Sequence, residues 1–351
     1  MKIESGLKNR HLVKRIVLPA MILMLIFTLI LATAVGAVNI PFGETVKIIL
    51  KNFHIPINAD FAEGNESIIF YIRFPRVIVA MLVGAGLAVS GVVMQGMFRN
   101  PMADPGILGV SSGAGLGAVT AIALGLTARS LFFLPFFASA GSLLASFIIF
   151  ILSSKKGKVT SLTLILSGLA VSMFISAITS MLLTSIHGDQ VKEFLFWTTG
   201  GLSARRWEHA AIAAVPIVTC TIILIAFARD LNILMLGEEE AQSVGLNTSA
   251  TRKLLLFLTS ITTAAAICVS GSISFVGLIV PHIMRLIVGP DHRTLIPVSA
   301  IAGALFVVAC DMVSRIIFAP REIGVGIVTS LIGAPYFLFL LYRARKEGGA
   351  I

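Results

Sequence analysis

Charge is scarce in this chain. Only 13% of its 351 residues are Asp, Glu, Lys or Arg, against roughly 25% in an average soluble globule, so a soluble domain of this length is excluded. Cysteine is nearly absent. Cys220, Cys268 and Cys310 stand apart with no C-x-x-C or Cys/His spacing, which excludes a zinc ribbon or a dithiol redox centre. A phosphate-binding loop is missing too: Gly157-Lys158 lacks the upstream glycine and the following Ser/Thr that let such a loop cradle phosphates. Basic residues outnumber acidic ones by 27 to 17, yet no basic–aromatic run forms a nucleic-acid surface. The chain is expected to hold no metal and no cofactor, and to be no enzyme.

What fills the space is apolar: 57% of the residues are hydrophobic and the mean hydropathy is +0.98. Ten stretches are each long enough to cross a bilayer, which takes about 20 apolar residues as a helix. They run over 15–38, 77–97, 107–126, 132–153, 159–185, 208–228, 253–270, 274–288, 295–316 and 324–342. The fold class is therefore all-α, a polytopic membrane protein of about ten transmembrane helices, with residues 1–351 as one integral domain. The N-terminal basic cluster, Lys155-Lys156-Gly157-Lys158 and Arg343-Ala344-Arg345-Lys346 fall on one side. The positive-inside rule weights such short flanks most heavily and puts both termini in the cytoplasm. The run from Ile16 to Val38 outlasts the ~7–15 residues of a signal-peptide core, so the first helix is expected to be retained.

Three connections are longer than the rest. Segment 39–76, outside, contains Val46, Ile49, Leu50 and Phe53 at helical spacing, which predicts a short surface helix over 42–53. Segment 188–207, also outside, carries Trp197 and the pair Arg205-Arg206. Segment 229–252, inside, predicts one or two short helices broken at Gly237 and Gly245.

Within the spans, polar groups are few and patterned. Gly109, Gly113 and Gly117 recur every four residues beside Ser112, a small-residue face that lets helix backbones approach closely. Ser172, Ser176, Ser180 and Thr184 form a ridge at the same spacing. Its hydroxyls either bond to a neighbouring helix or line a translocation path, and the sequence leaves both open. Ionisable residues inside a membrane are costly and usually mark function. None lies in 77–97, 107–126, 132–153, 159–185 or 210–228, which leaves no carboxylate relay there for an ion-coupled secondary transporter. Asp311 and Arg315, four apart with the carboxylate first, are placed to pair on one helix face. The expected pathway is uncharged and suits a bulky substrate powered from elsewhere.

Four blocks resemble the FecCD-type permeases of ABC importers for iron chelates, haem and vitamin B12. They are Arg73-Phe74-Pro75-Arg76 with the following stretch to about 118, the segment Leu236-Gly237-Glu238-Glu239-Glu240-Ala241-Gln242-Ser243-Val244-Gly245, residues 271–304, and Arg321-Glu322-Ile323-Gly324-Val325-Gly326 with the helix after it. In order, they cover the chain from Arg73 to the C-terminus. The last block departs from the usual pattern, with Gly324 where a proline is common.

The resemblance implies a type II ABC importer permease fold in a prokaryotic cytoplasmic (inner) membrane. It implies a second permease copy (a homodimer or a pair of similar chains), two ATP-binding cassette ATPase subunits that use ATP and Mg, and an extracytoplasmic substrate-binding protein. Arg73, Arg76 and Arg315 match the arginines that receive acidic residues of the binding protein. Leu236, Gly237, Glu238, Glu239, Glu240, Ala241 and Gly245 match the segment that seats in the ATPase. The implied substrate is first an iron chelate such as a ferric siderophore, then haem or cobalamin, and more distantly a molybdate-type oxyanion.

Overall fold

The computed structural model describes residues 2–346, apart from 37, 39, 56–60, 63, 156, 157 and 160. Lys156 and Gly157 of the basic inner loop thus lie outside the described residues. In chain order the helices are α1 (Lys2–Ala34), α2 (Phe42–Asn52), α3 (Asn65–Ser67), α4 (Phe74–Phe98), α5 (Val110–Ala123), α6 (Phe133–Ser153), α7 (Ser161–Ser185) and α8 (Gly188–Thr198). They continue with α9 (Trp207–Ala226), α10 (Ala228–Leu234), α11 (Glu238–Ser243), α12 (Thr248–Ser270), α13 (Val276–Val288), α14 (His292–Ile316) and α15 (Val325–Lys346). The fold is all-α. Among the described residues strand pairing is confined to a two-residue ladder, β1 (Ser154–Lys155) against β2 (Lys158–Val159), that turns α6 into α7.

Among the described residues seven helices are long and apolar enough to cross a membrane, and three shorter apolar ones, Val110–Ala123, Val276–Val288 and Val325–Leu340, occupy the remaining predicted spans. A 14-residue helix such as α5 rises only about 21 Å, less than the ~30 Å hydrocarbon core. The rest of its crossing is irregular: a 3-10 turn, Pro105–Leu108, precedes α5. A non-helical link, 271–275, likewise precedes α13. Irregular backbone at membrane depth is tolerated where it is buried in protein or lines a cavity, and both of these stretches line one.

The second span starts earlier than its apolar run suggests. From Asn65 the chain is continuously helical to Phe98, through a π turn at Ile68–Arg73, so Arg73 and Arg76 sit on a helix and not in the loop before it. Helix α4 is the centre of the bundle, packed against α9, α12, α13 and α14. Its closest approaches need glycine: a Cβ on Gly84 would meet the carbonyl of Gly303 on α14, and one on Gly91 that of Gly277 on α13. Gly113 and Gly117 of α5 meet the backbone of Gly141 and Phe137 on α6 in the same way, so this small-residue face packs helix on helix.

Helix α2 forms where a short surface helix was expected but is turned differently. Thr45 and Ile48 are its buried side chains, and Ile48 clusters with Ile40 and Ile69, whereas Phe53 is exposed. Segment 188–207 is not simply a loop: α8 buries Phe194 and Trp197, whose rings stack at 6.3 Å. Two short helices, α10 and α11, are parted by Gly237 at φ +145°, and Gly245 at φ +86° follows α11. Both are backbone conformations that L side chains rarely adopt.

Candidate functional sites

The three predicted arginines come together at one end of the bundle, beside the C-terminus of α1, each bonded within the chain. Arg76, 8% exposed, grips Asp311 of α14 with Nε and Nη2, at 3.0 and 2.8 Å from Oδ1. Its Nη1 lies 2.9 Å from Glu322 Oε2. Arg315 reaches Asp311 Oδ2 with Nε at 3.2 Å, and donates through Nη1 and Nη2 to the carbonyls of Val35 and Ala32, both at 2.9 Å. Arg73, 6% exposed, donates to the carbonyls of Thr33, Ala34 and Val38. The last carbonyls of a helix lack intrahelical partners and carry the negative end of its dipole. Two guanidiniums therefore cap α1, and the third ties α4 to α14 and to the link before α15.

Asp311 is wholly buried, and its pairing with Arg315 was visible in the four-residue spacing. Glu322 was visible only as part of a motif. Burial alone would push its carboxyl up, but the Ser203 hydroxyl and the Arg76 guanidinium outweigh burial and hold it below the usual glutamate range. Within this cluster three guanidiniums stand against two carboxylates.

A cavity of about 510 Å³ opens beneath, walled by α4, α5, α7, α12 and the two irregular links. Asp104, Ser111, Ser172, Thr263 and Ser274 give it polar points on a mostly apolar wall that includes Phe275. Ser172 is the one member of the predicted ridge that lines it, and its Oγ lies 3.1 Å from that of Ser112. Ser176, Ser180 and Thr184 are exposed on α7, with Thr184 bonded back to the Met181 carbonyl of its own helix. Thr263 Oγ1 is buried without a hydrogen-bond partner.

Asp104 was missed by the sequence reading because it lies between spans, in the stretch that folds back into the bundle. It caps the 3-10 turn, accepting from the Gly106 N–H at 2.7 Å.

Between α9 and α12, α10 and α11 form a compact projection. Leu236, Glu239, Glu240 and Gly245 are exposed on it, whereas Gly237 and Ala241 are buried. Two struts tie it to the bundle. Glu238 pairs with Arg252 of α12 at 3.3 Å. Asn232 of α10 donates to Asp291 Oδ1 at 2.8 Å, and its own Oδ1 accepts from the His292 backbone N–H at 3.0 Å. The His292 ring stands 2.7 Å from the same oxygen.

The chain is thus a polytopic all-α bundle with a cavity, a cluster of paired charges and a projection of two short helices. The chain belongs to the FecCD transport family, which it matches over residues 24–343. It is 46% identical over 287 residues to the cobalamin import system permease protein BtuC of Halobacterium salinarum, covering 82% of this chain and 76% of that one. It is 38% identical to the hemin transport system permease protein HmuU of Yersinia pestis, over 94% and 97% of the two chains. A solved structure titled as an inward-facing conformation of a putative metal-chelate type ABC transporter superposes with a TM-score of 0.81 at 33% identity, covering 93% of this chain and 98% of that one. The chain is thus a permease subunit of the ABC importer class and a multi-pass protein of the inner membrane.

Proposed function

We propose that this chain carries a bulky metal chelate through the membrane, with a ferric siderophore as the first reading. The observation that carries the metal-chelate class is the cavity: its wall is mostly apolar, and among its described lining residues there is no Lys, Arg or His. Such a wall suits a large ligand whose charge is shielded, and offers a bare oxyanion no cation to pair with. Cobalamin is the second reading, favoured by the 46% identity to an archaeal cobalamin permease.

The whole chain acts as one permease unit, N- and C-termini inside, beside a second copy of itself. The exposed apolar faces of α7 and α15, with Met173, Phe174, Met181, Leu331 and Leu338, supply surface for that contact. An extracytoplasmic binding protein docks at the outer end, where the cluster of Arg73, Arg76 and Arg315 attracts acidic side chains and orients them. ATPase subunits, using ATP and Mg, seat on the inner projection and drive alternating access by moving it. Energy enters from the partners, and no side chain here does chemistry.

The test is uptake of radiolabelled ferric siderophores, haem and cobalamin in cells lacking this chain and in complemented cells. Loss of ferric chelate uptake alone supports the first reading. Loss of cobalamin uptake alone replaces it with the second, and unchanged uptake of every chelate overturns the metal-chelate class.

A further inference from the structure

Between α6, the start of α7 and α12 lies a second hollow of about 450 Å³. Phe147, Phe150, Leu164 and Phe257 form its apolar wall. Phe147 and Phe257 are each 60% exposed, so the hollow is an open groove on the surface a bilayer would cover. Lys253, Phe257 and Ile261 follow at four-residue steps along α12, which aligns them on one face. They span about 12 Å of helix rise, most of the ~15 Å hydrocarbon depth of one leaflet.

One end of this groove is cationic. Lys253 is exposed there, and among the described residues none bonds its ammonium, because neighbouring Arg252 turns to Glu238 instead. The β-ladder that follows α6, with Lys155 paired opposite Lys158, packs against α12 at that same end. It is the end that the positive-inside rule assigns to the cytoplasm, where anionic lipids are concentrated.

We propose that this groove is a binding site for one anionic phospholipid of the inner leaflet, its acyl chain along Phe147, Phe150 and Phe257 and its phosphate on Lys253. An acyl chain fills an apolar groove that neither water nor a polar ligand would occupy. The ammonium separates this site from ordinary boundary lipid: a basic side chain near the surface is worth about 1 kcal/mol toward an anionic headgroup, or roughly fivefold in affinity. The site is independent of the transported substrate.

The experiment is lipid titration of the delipidated, purified permease followed by native mass spectrometry, with phosphatidylglycerol and phosphatidylcholine of identical chains. The wild type should retain phosphatidylglycerol preferentially. Lys253→Gln should weaken it about fivefold and leave phosphatidylcholine unchanged, and Lys253→Arg should keep the preference. Ser260→Leu, which adds bulk to the groove wall, should weaken both lipids. Equal retention of the two lipids by the wild type, meaning boundary lipid only, overturns the proposal. So does unchanged phosphatidylglycerol binding in a folded Lys253→Gln.

Discussion

Asp311→Asn is the substitution with the largest calculable consequence. The carboxylate is wholly buried, holds Arg76 at 2.8 Å and Arg315 at 3.2 Å, and so joins α4 to α14. Asparagine keeps the shape and one acceptor but removes the charge, leaving Arg76 with Glu322 alone and Arg315 with the α1 carbonyls. Breaking a buried ion pair from one side costs about 3–5 kcal/mol, because a desolvated charge is left behind. The retained acceptor and the surviving Glu322 contact put the expected loss at the lower end, about 3 kcal/mol. Equilibrium unfolding in mixed micelles measures it. A double substitution, Asp311→Leu with Arg76→Met, should recover part of the loss, since removing both partners of a buried pair is often neutral. An Asp311→Asn protein within about 0.5 kcal/mol of wild type, the scatter of ordinary surface changes, would refute the reasoning.

Three further outcomes follow from the same geometry. Gly303→Ala places a methyl 2.5 Å from the Ala88 Cβ and should cost roughly 1–3 kcal/mol by overpacking, whereas Gly43→Ala in α2, with nothing near it, should be neutral or slightly stabilising in the same assay. Asn232→Ala removes the strut from α10 to Asp291 and His292; in the reconstituted importer it should lower substrate moved per ATP hydrolysed while ATPase binding stays intact, and an unchanged ratio removes that role. Glu322 titrates below the usual range in the folded protein, so its contribution is complete above the unfolded glutamate pKa and is lost as pH falls through its depressed folded value. Acidification should therefore narrow the stability gap between wild type and Glu322→Gln, and a gap independent of pH in that window would contradict the pairing.

The spans were legible because about 20 apolar residues in a row leave a membrane chain little alternative to helix. The short inner helices were legible from Gly237 and Gly245, and the Asp311–Arg315 pair from its spacing. Less was legible where the chain folds back on itself. Asp104 looked like a loop residue, since a linear reading gives no sign that 100–106 re-enters the bundle. Arg73 and Arg76 read as a free outward pair, but their partners lie from 35 to 246 residues away, which no local pattern encodes. Their burial changes what charge reversal does: Arg73→Glu or Arg76→Glu removes internal bonds and destabilises that end of the bundle, so weakened docking cannot be expected with folding untouched. The face of α2 is similar, since Ile48 is buried by Ile40 and Ile69, contacts its own periodicity does not announce.

The central claim is that transport through this chain is driven by ATP hydrolysed on partner subunits. The most direct measurement is uptake of a labelled metal chelate into proteoliposomes containing this permease and its ATPase, with loaded binding protein outside and ATP-Mg enclosed. Accumulation should require ATP and the ATPase, and persist when an uncoupler removes the ion gradient. Uptake that continues without the ATPase and collapses with the uncoupler would identify an ion-coupled transporter and contradict the account.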